Sequence, residues 1–306
     1  MKLQDAKTFW RIMSSISLQA VRKEATRPVA VALVGTEDRR REVLRRLYPG
    51  RDPASSFPLV RTFASISGED GFPSERGSYD IVLDAGGGWA ATDANISVFS
   101  VEDLGGWEKT VERVLAEKPE LRLALARRFP GLREPVARDI IGETALANAQ
   151  FAMLNALPGV VPLLGLLLPT TAVGDMLLLA KNQAMMVYRL AACYGMPLDP
   201  RSRARDILPL VGNAFGWRAL ARELVGAVPA GVGVVARGAI AYAGTQAIGE
   251  AMRRLYATGE SPTSAALKEF YRRSLDEARA AAQRLLERGN ATERTRLGLP
   301  RWSRRP

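Results

Sequence analysis

The chain has 306 residues, 47% hydrophobic and 25% charged, with 43 Lys+Arg against 32 Asp+Glu, a formal net charge of +11 and a mean hydropathy of −0.06. That length admits two domains with a real core, and the basic balance favours an anionic partner, either a phosphate backbone or an acidic lipid surface. With no histidine and one cysteine, Cys193, the sequence excludes an intrachain disulfide, zinc centres and Ser/His/Asp or Cys/His catalysis, and it suits a reducing compartment.

Residues Met1 to Ala25 place Leu3, Ala6, Phe9 or Trp10, Met13, Ile16 and Ala20 at helical spacing, with Lys2, Lys7, Arg11, Arg22 and Lys23 on other faces, which predicts an amphipathic helix. The segment lacks the continuous apolar run and small-residue cleavage site of a secretory signal, so export is not expected. Trp10 and the basic residues suit a membrane interface, while docking onto the rest of the protein is the other reading.

Val29 to Val34 is a continuous apolar run of the kind buried on both faces of a parallel sheet, followed by Gly35 and a helix from about Asp38 to Leu47. A phosphate-binding loop here would carry Gly-Lys-Ser or Gly-Lys-Thr where Arg40, Arg41 and Glu42 stand. Glu37 and Asp38 place acids at the positive end of the helix, which stabilises it and repels a nucleotide. Leu59 to Ile66 predicts an edge strand, Tyr79 to Asp84 a second buried strand and Ile96 to Val101 a short further one. Asp84-Ala85-Gly86-Gly87 fits the Asp-x-x-Gly pattern of GTPases, but no Asn-Lys-x-Asp motif follows, and Glu102-Asp103-Leu104 stands in its place.

From Trp107 the pattern is helical: Trp107 to Glu117, Pro119 to Phe129 and Pro135 to Asn155, with Pro130-Gly131 stopping the second. Thr144 to Gly174 runs 31 residues without a formal charge, and its length fits a membrane span. Pro158, Gly159, Pro162, Gly165 and Pro169 break it into helical pieces around an apolar knuckle, equally a re-entrant hairpin, a kinked span or a buried core turn. A helix resumes at Asp175, where Asp175, Asn182 and Arg189, seven residues apart, form a polar stripe on an otherwise apolar helix. Buried charges and amides of this kind need partners, and Asn148, Gln150 and Asn155 upstream are candidates, either as an internal network or as the lining of a polar pathway. Pro197 to Pro209 is a basic connection and Phe215 to Gly226 a short helix. Gly231 to Ala257 repeats Ala239, Ala243, Ala247 and Ala251 with Gly238, Gly244 and Gly249, a ridge that lets another helix approach closely, in a membrane hairpin or in a soluble bundle. Pro262 to Arg288 is amphipathic, and the tail, with Arg294, Arg296, Arg301, Trp302, Arg304 and Arg305, is expected to be disordered and strongly basic.

Six separated motifs follow one another in order: Arg128-Phe129-Pro130-Gly131-Leu132-Arg133, Asn148-Ala149-Gln150-Phe151-Ala152, Lys181-Asn182-Gln183, Ala191-Ala192-Cys193-Tyr194-Gly195, Trp217-Arg218 with Ala221-Arg222-Glu223, and Ile240-Ala241-Tyr242-Ala243-Gly244-Thr245. By these residues the segment from Arg127 to Gly259 resembles the bacterial family known as domain of unknown function 697. The resemblance implies a membrane-associated helical domain preceded by a GTPase-like domain. Arg40-Arg41-Glu42 departs from the phosphate-loop signature, so GTP hydrolysis does not carry over, and the family supplies no catalytic residues to transfer.

The expected fold is α+β, a small incomplete parallel α/β domain followed by a larger all-α helical domain. Its parts are an amphipathic helix over 1–25, a degenerate GTPase-like α/β domain over 26–118, a helical domain over 119–289 and a basic tail over 290–306. The expected function is a non-catalytic membrane-associated scaffold or docking protein on the cytoplasmic face of the cell membrane, with a cytoplasmic location as the alternative. Its rivals are a nucleotide-dependent switch with an altered phosphate site and a soluble helical interaction protein. No catalytic residue, cofactor or metal is expected; the candidate site is a polar network of Asp175, Asn182, Arg189, Asn148, Gln150, Lys181 and Gln183. The expected partner is a membrane or acidic lipid surface. A protein partner and self-association stay open, and nucleic acid is disfavoured because no aromatics interleave the basic residues in a recognisable module.

Overall fold

The structure, a computed structural model, describes residues 18–52, 59–64, 79–86, 97–101, 106–154, 172–199 and 233–278, without the side chains of 172–178, 180 and 233–236. The N-terminal helix before Leu18, the proline-broken knuckle at 155–171, most of the 197–209 connection, the 215–226 helix and the basic tail lie outside the described residues. The fold is α+β: a four-stranded parallel sheet and a majority of helix. Two compact units divide it, one of Ser17–Ile140 and Tyr188–Ser202, the other of Met1–Ile16, Ile141–Val187 and Arg203–Pro306.

In the first unit the strands are β1 (Val31–Gly35), β2 (Val60–Phe63), β3 (Ile81–Ala85) and β4 (Val98–Ser100). They are ordered β2-β1-β3-β4, with every pairing parallel. Every residue of β1 and β3 is buried, as their unbroken apolar runs predict for strands covered on both faces. Register at the entry is set by a side chain, since the Ala30 amide donates to Asp80 Oδ2 at 2.9 Å. Alternation then sends Ala32, Val34 and Val82 to one face, where Phe63, Tyr79 and Val98 pack on them. Val31, Leu33, Ile81 and Leu83 take the other face. There, Val31, Ile81 and Leu83 meet Trp107, Val111 and Leu115 from α3 (Trp107–Glu117), together with Leu125, Phe129 and Leu132. The gap left among these side chains is about 20 Å³, room for roughly one water-sized body, so this face is core and not a ligand pocket.

The remaining helices of this unit are α1 (Gln19–Thr26), α2 (Glu37–Leu47) and α4 (Arg122–Arg128). Short 3-10 turns at Pro119–Leu121 and Pro130–Leu132 flank α4, so the helix expected from Pro119 to Phe129 is an α-helix only in its middle. Proline explains both turns, because it lacks the N–H that would join a preceding helix. Residues 18–26 of the N-terminal amphipathic segment dock onto the protein: Leu18, Val21 and Ala25 are buried, and α1 packs against α4. Where α2 ends, Gly131 passes so close that a Cβ on it would lie 1.7 Å from the Arg46 carbonyl oxygen.

The second unit contains the later parts of α5 (Arg133–Leu154) and the earlier part of α6 (Ala172–Cys193), with α7 (Gly233–Thr258) and α8 over residues 264–278. The alanine repeat does what its spacing suggests: Ala239, Ala243 and Ala247 are buried against Tyr271 and Leu275 of α8. The glycines serve a different neighbour. A Cβ on Gly238 would lie 2.5 Å from Met153 Cγ, and one on Gly249 2.7 Å from Ile141 Cγ1, so α7 approaches α5 over glycine and α8 over alanine. Among the described residues no helix is long and apolar enough to cross a membrane.

Gly131→Ala should lose about 3 kcal/mol of stability, because the backbone of Arg46 rather than a movable side chain blocks the new methyl group. Gly142→Ala, at a helical position with open space around it, should gain up to about 1 kcal/mol. Urea unfolding of both variants beside the parent measures the difference; equal stabilities would contradict the packing described.

Candidate functional site

Two places merit consideration as sites. At the carboxyl edge of the sheet, the order β2-β1-β3-β4 puts a topological switch point between β1 and β3, where ligands of open α/β sheets bind. Gly35 at the end of β1, with φ of 145°, allows close approach, since a Cβ there would lie 2.6 Å from the Ala85 carbonyl oxygen. Gly86, with φ of 86°, faces the Arg39 guanidinium, whose Nη1 would lie 2.8 Å from a Cβ at Gly86. The residues that replace a phosphate-loop signature are engaged along their own helix: Arg41 pairs with Glu37 and lies 4.0 Å from Asp38, while Glu42 takes Arg45 and Arg46, each at 3.1 Å. The Arg45 and Arg46 contacts hold the Glu42 carboxyl below its ordinary pKa, with partial desolvation opposing them. These pairs belong to a solvated helix face rather than to a cradle over the strand end.

The second place lies in the helical unit. Asn148 on α5 is 1% exposed and Thr245 on α7 is fully buried. Asn148 donates through Nδ2 to Thr245 Oγ1 at 3.0 Å and accepts at Oδ1 from Asn182 Nδ2 on α6 at 2.9 Å. Gln183 Nε2 donates to the same Thr245 hydroxyl at 3.4 Å, and that hydroxyl donates to the Ala241 carbonyl at 2.9 Å. Thr245 therefore uses one proton and both lone pairs, and three helices meet at one oxygen.

Of the seven candidate residues, the structure brings Asn148, Asn182 and Gln183 together. Gln150 and Lys181 are exposed and take no part in that cluster. Asp175 lies in α6, but its side chain is outside the described residues, as is Asn155. Arg189 belongs to the other compact unit, where it forms an ion pair with Glu24 of α1 at 3.5 Å. Seven-residue spacing placed Asn182 and Arg189 on one helical face; their partners come from different elements because α6 contributes to both units. Two participants were not foreseen as such. Thr245 carries a weak signal, a small hydroxyl side chain on the glycine- and alanine-rich stretch 238–247, whereas Glu24 had none beyond being an acid among bases.

The network is neutral, so it holds geometry and moves no charge. Among the described residues no three His, Cys, Asp or Glu side chains are placed to hold a metal ion. Cys193, buried near the end of α6, has its thiol pKa pushed up to about 12, mainly by burial, with the Arg133 cation pulling weakly the other way. Its Sγ donates to the Arg133 carbonyl at 3.4 Å, as a structural thiol and not a nucleophile. No protein-family model, no curated protein and no solved structure matches the chain.

Thr245→Val preserves shape but leaves the Asn148 and Gln183 amides without their acceptor, and should cost about 1–3 kcal/mol; Thr245→Ser should recover most of it. Thermal unfolding of the three proteins tests this. For Cys193, the folded pKa lies above the unfolded value, so the buried neutral thiol stabilises the fold fully below about pH 9, and that contribution fades as pH rises toward 12. Labelling by a disulfide reagent at pH 8 should accordingly run about a thousandfold slower in the native chain than in denaturant.

Proposed function

We propose that the protein is a non-catalytic scaffold that works at a membrane surface, its sheet unit serving as a docking module and its helical unit holding it there. The observation that carries this reading is an exposed apolar stripe on α5. Leu146 is 54%, Leu154 51% and Met153 36% exposed, and positions 146, 153 and 154 fall on one side of the helix. The stripe lies within the run from Thr144 to Gly174 that bears no charge. Covering three such side chains is worth roughly 3 kcal/mol, which suits reversible surface contact rather than permanent anchorage. The polar network supports a scaffold role from the inside, because satisfied buried amides fix how the helices are registered without supplying any reactive group.

A nucleotide-dependent switch is the second reading, favoured by one observation, the Arg39 guanidinium against Gly86 at the switch point. Opposing it are Glu37 and Asp38 at the same helix start and the internal pairing of Arg41. Calorimetric titration with GTP, GDP and ATP in the presence of magnesium separates the readings, micromolar binding being the result that favours the switch.

After lysis without detergent, the chain should sediment with membranes and be released by mild detergent. Leu146→Ser/Leu154→Ser should move it into the supernatant while leaving its unfolding free energy within about 0.5 kcal/mol of the parent, because both positions are exposed. Recovery of the parent chain in the supernatant would overturn the proposal.

A further inference from the structure

Most arginines that the structure pairs are neutralised along their own helix: Arg41 by Glu37, Arg45 and Arg46 by Glu42, Arg113 by Glu117, Arg138 by Glu134, Arg253 by Glu250 and Arg272 by Glu269. One surface of the sheet unit is built differently. Where α1 packs on α4 and the chain leaves α6, the guanidinium groups are held by backbone carbonyls. Arg22 donates to Leu198 O at 3.1 Å and Arg127 to Ala192 O at 3.4 Å; Arg128 donates to Ala124 O at 3.3 Å and to Thr26 O at 3.5 Å. A carbonyl fixes the position of a guanidinium but carries no compensating charge, and at a helix C-terminus the opposing dipole amounts to only about half a charge. Lys23 and Arg27 stand exposed on the same helix and just beyond it. Across residues 19–27, 119–128 and 189–199 there are seven cations against three carboxylates, Glu24, Glu120 and Asp199, and the first of these is taken up by Arg189. The surface is thus preorganised and positive.

We propose that this surface binds the phosphate-bearing headgroups of anionic lipids. The inference rests on the membrane-surface reading and adds to it a second lipid contact, on the sheet unit, besides the apolar stripe of the helical unit. A guanidinium has five N–H donors, of which the carbonyls take one or two, leaving a fork suited to phosphate oxygens. Nucleic acid offers the same phosphates, yet the aromatics on these elements are not placed for base stacking: Phe129 is buried, and Tyr194 lies under the Arg133 guanidinium, whose carbon is 5.9 Å from the ring centre. Composition also favours lipid, since the sequence before α1 carries Lys2, Lys7, Trp10 and Arg11, residue types that suit a headgroup interface.

The test is co-sedimentation of the full chain with vesicles of phosphatidylcholine alone and of phosphatidylcholine containing about 30% phosphatidylserine, at two salt concentrations, with duplex DNA as competitor. The expected result is salt-sensitive binding to the anionic vesicles, reduced at least tenfold by Lys23→Glu/Arg27→Glu and by an intermediate factor in Lys23→Gln/Arg27→Gln. Both residues are exposed, so circular dichroism and unfolding of the variants should match the parent. Parent binding to anionic vesicles that the charge reversal leaves unchanged would overturn this surface while leaving membrane association in place. Equal binding to both vesicle types would overturn it in favour of the apolar stripe. Variant-sensitive binding to duplex DNA that displaces the vesicles would assign the surface to nucleic acid instead. If the parent binds neither vesicle, the membrane reading falls as well.

Discussion

A buried hydroxyl has one proton to give and two lone pairs to fill, and in the helical unit Thr245 meets all three demands with groups from α5, α6 and its own helix. Everything around it follows from the short reach of those side chains. Asn148 can touch Thr245 at 3.0 Å only if α5 and α7 lie very close, and they do so because Gly238 and Gly249 present no Cβ where Met153 and Ile141 pass. Sliding α7 by one residue would bury amides without partners and drive side chains into those gaps. Small residues set the separation, polar residues set the register, and neither alone specifies the packing.

The sheet unit is held by a different combination. Its centre is apolar on both faces, and β2 and β4 are short, which limits the unpaired edge. Its periphery is closed by arginines: Arg128 reaches the last carbonyl of α1, and Arg127 reaches one near the end of α6, so α4 gathers two helix C-termini beside its own. The same residue type performs another task on α2, where arginine and glutamate alternate along a solvated face. A position-by-position comparison with a phosphate loop isolates Arg40, Arg41 and Glu42 from that face; the geometry returns Arg41 and Glu42 to it.

Much of this was legible in the residues themselves. Unbroken runs such as Val31 to Val34 and Ile81 to Leu83 are short enough to read as strands buried on both sides, and the alanines of α7 announce a close helix contact by spacing. The pairing of Asn148 with Asn182 was also within reach, because both are amides in apolar helices. What spacing cannot supply is the partner from another part of the chain. Arg189 and Asn182 share a face of α6, yet one closes on Glu24 and the other on Asn148, a division set by where the compact units separate. Likewise, the role of Gly131 depends on the Arg46 carbonyl, which no local pattern around Pro130 reveals.

The docking of α1 on α4 has a consequence in time. Thr26 and Arg128, which meet across that contact, are 102 residues apart. A ribosome adding about 5 to 20 residues per second needs roughly 5 to 20 seconds to cover that distance. Through that interval Leu18, Val21 and Ala25 have emerged, or are emerging, before the helix that will cover them exists. Until α4 follows it, the segment around α1 therefore offers an apolar, basic surface to whatever lies beside the exit tunnel, and only then is it turned inward.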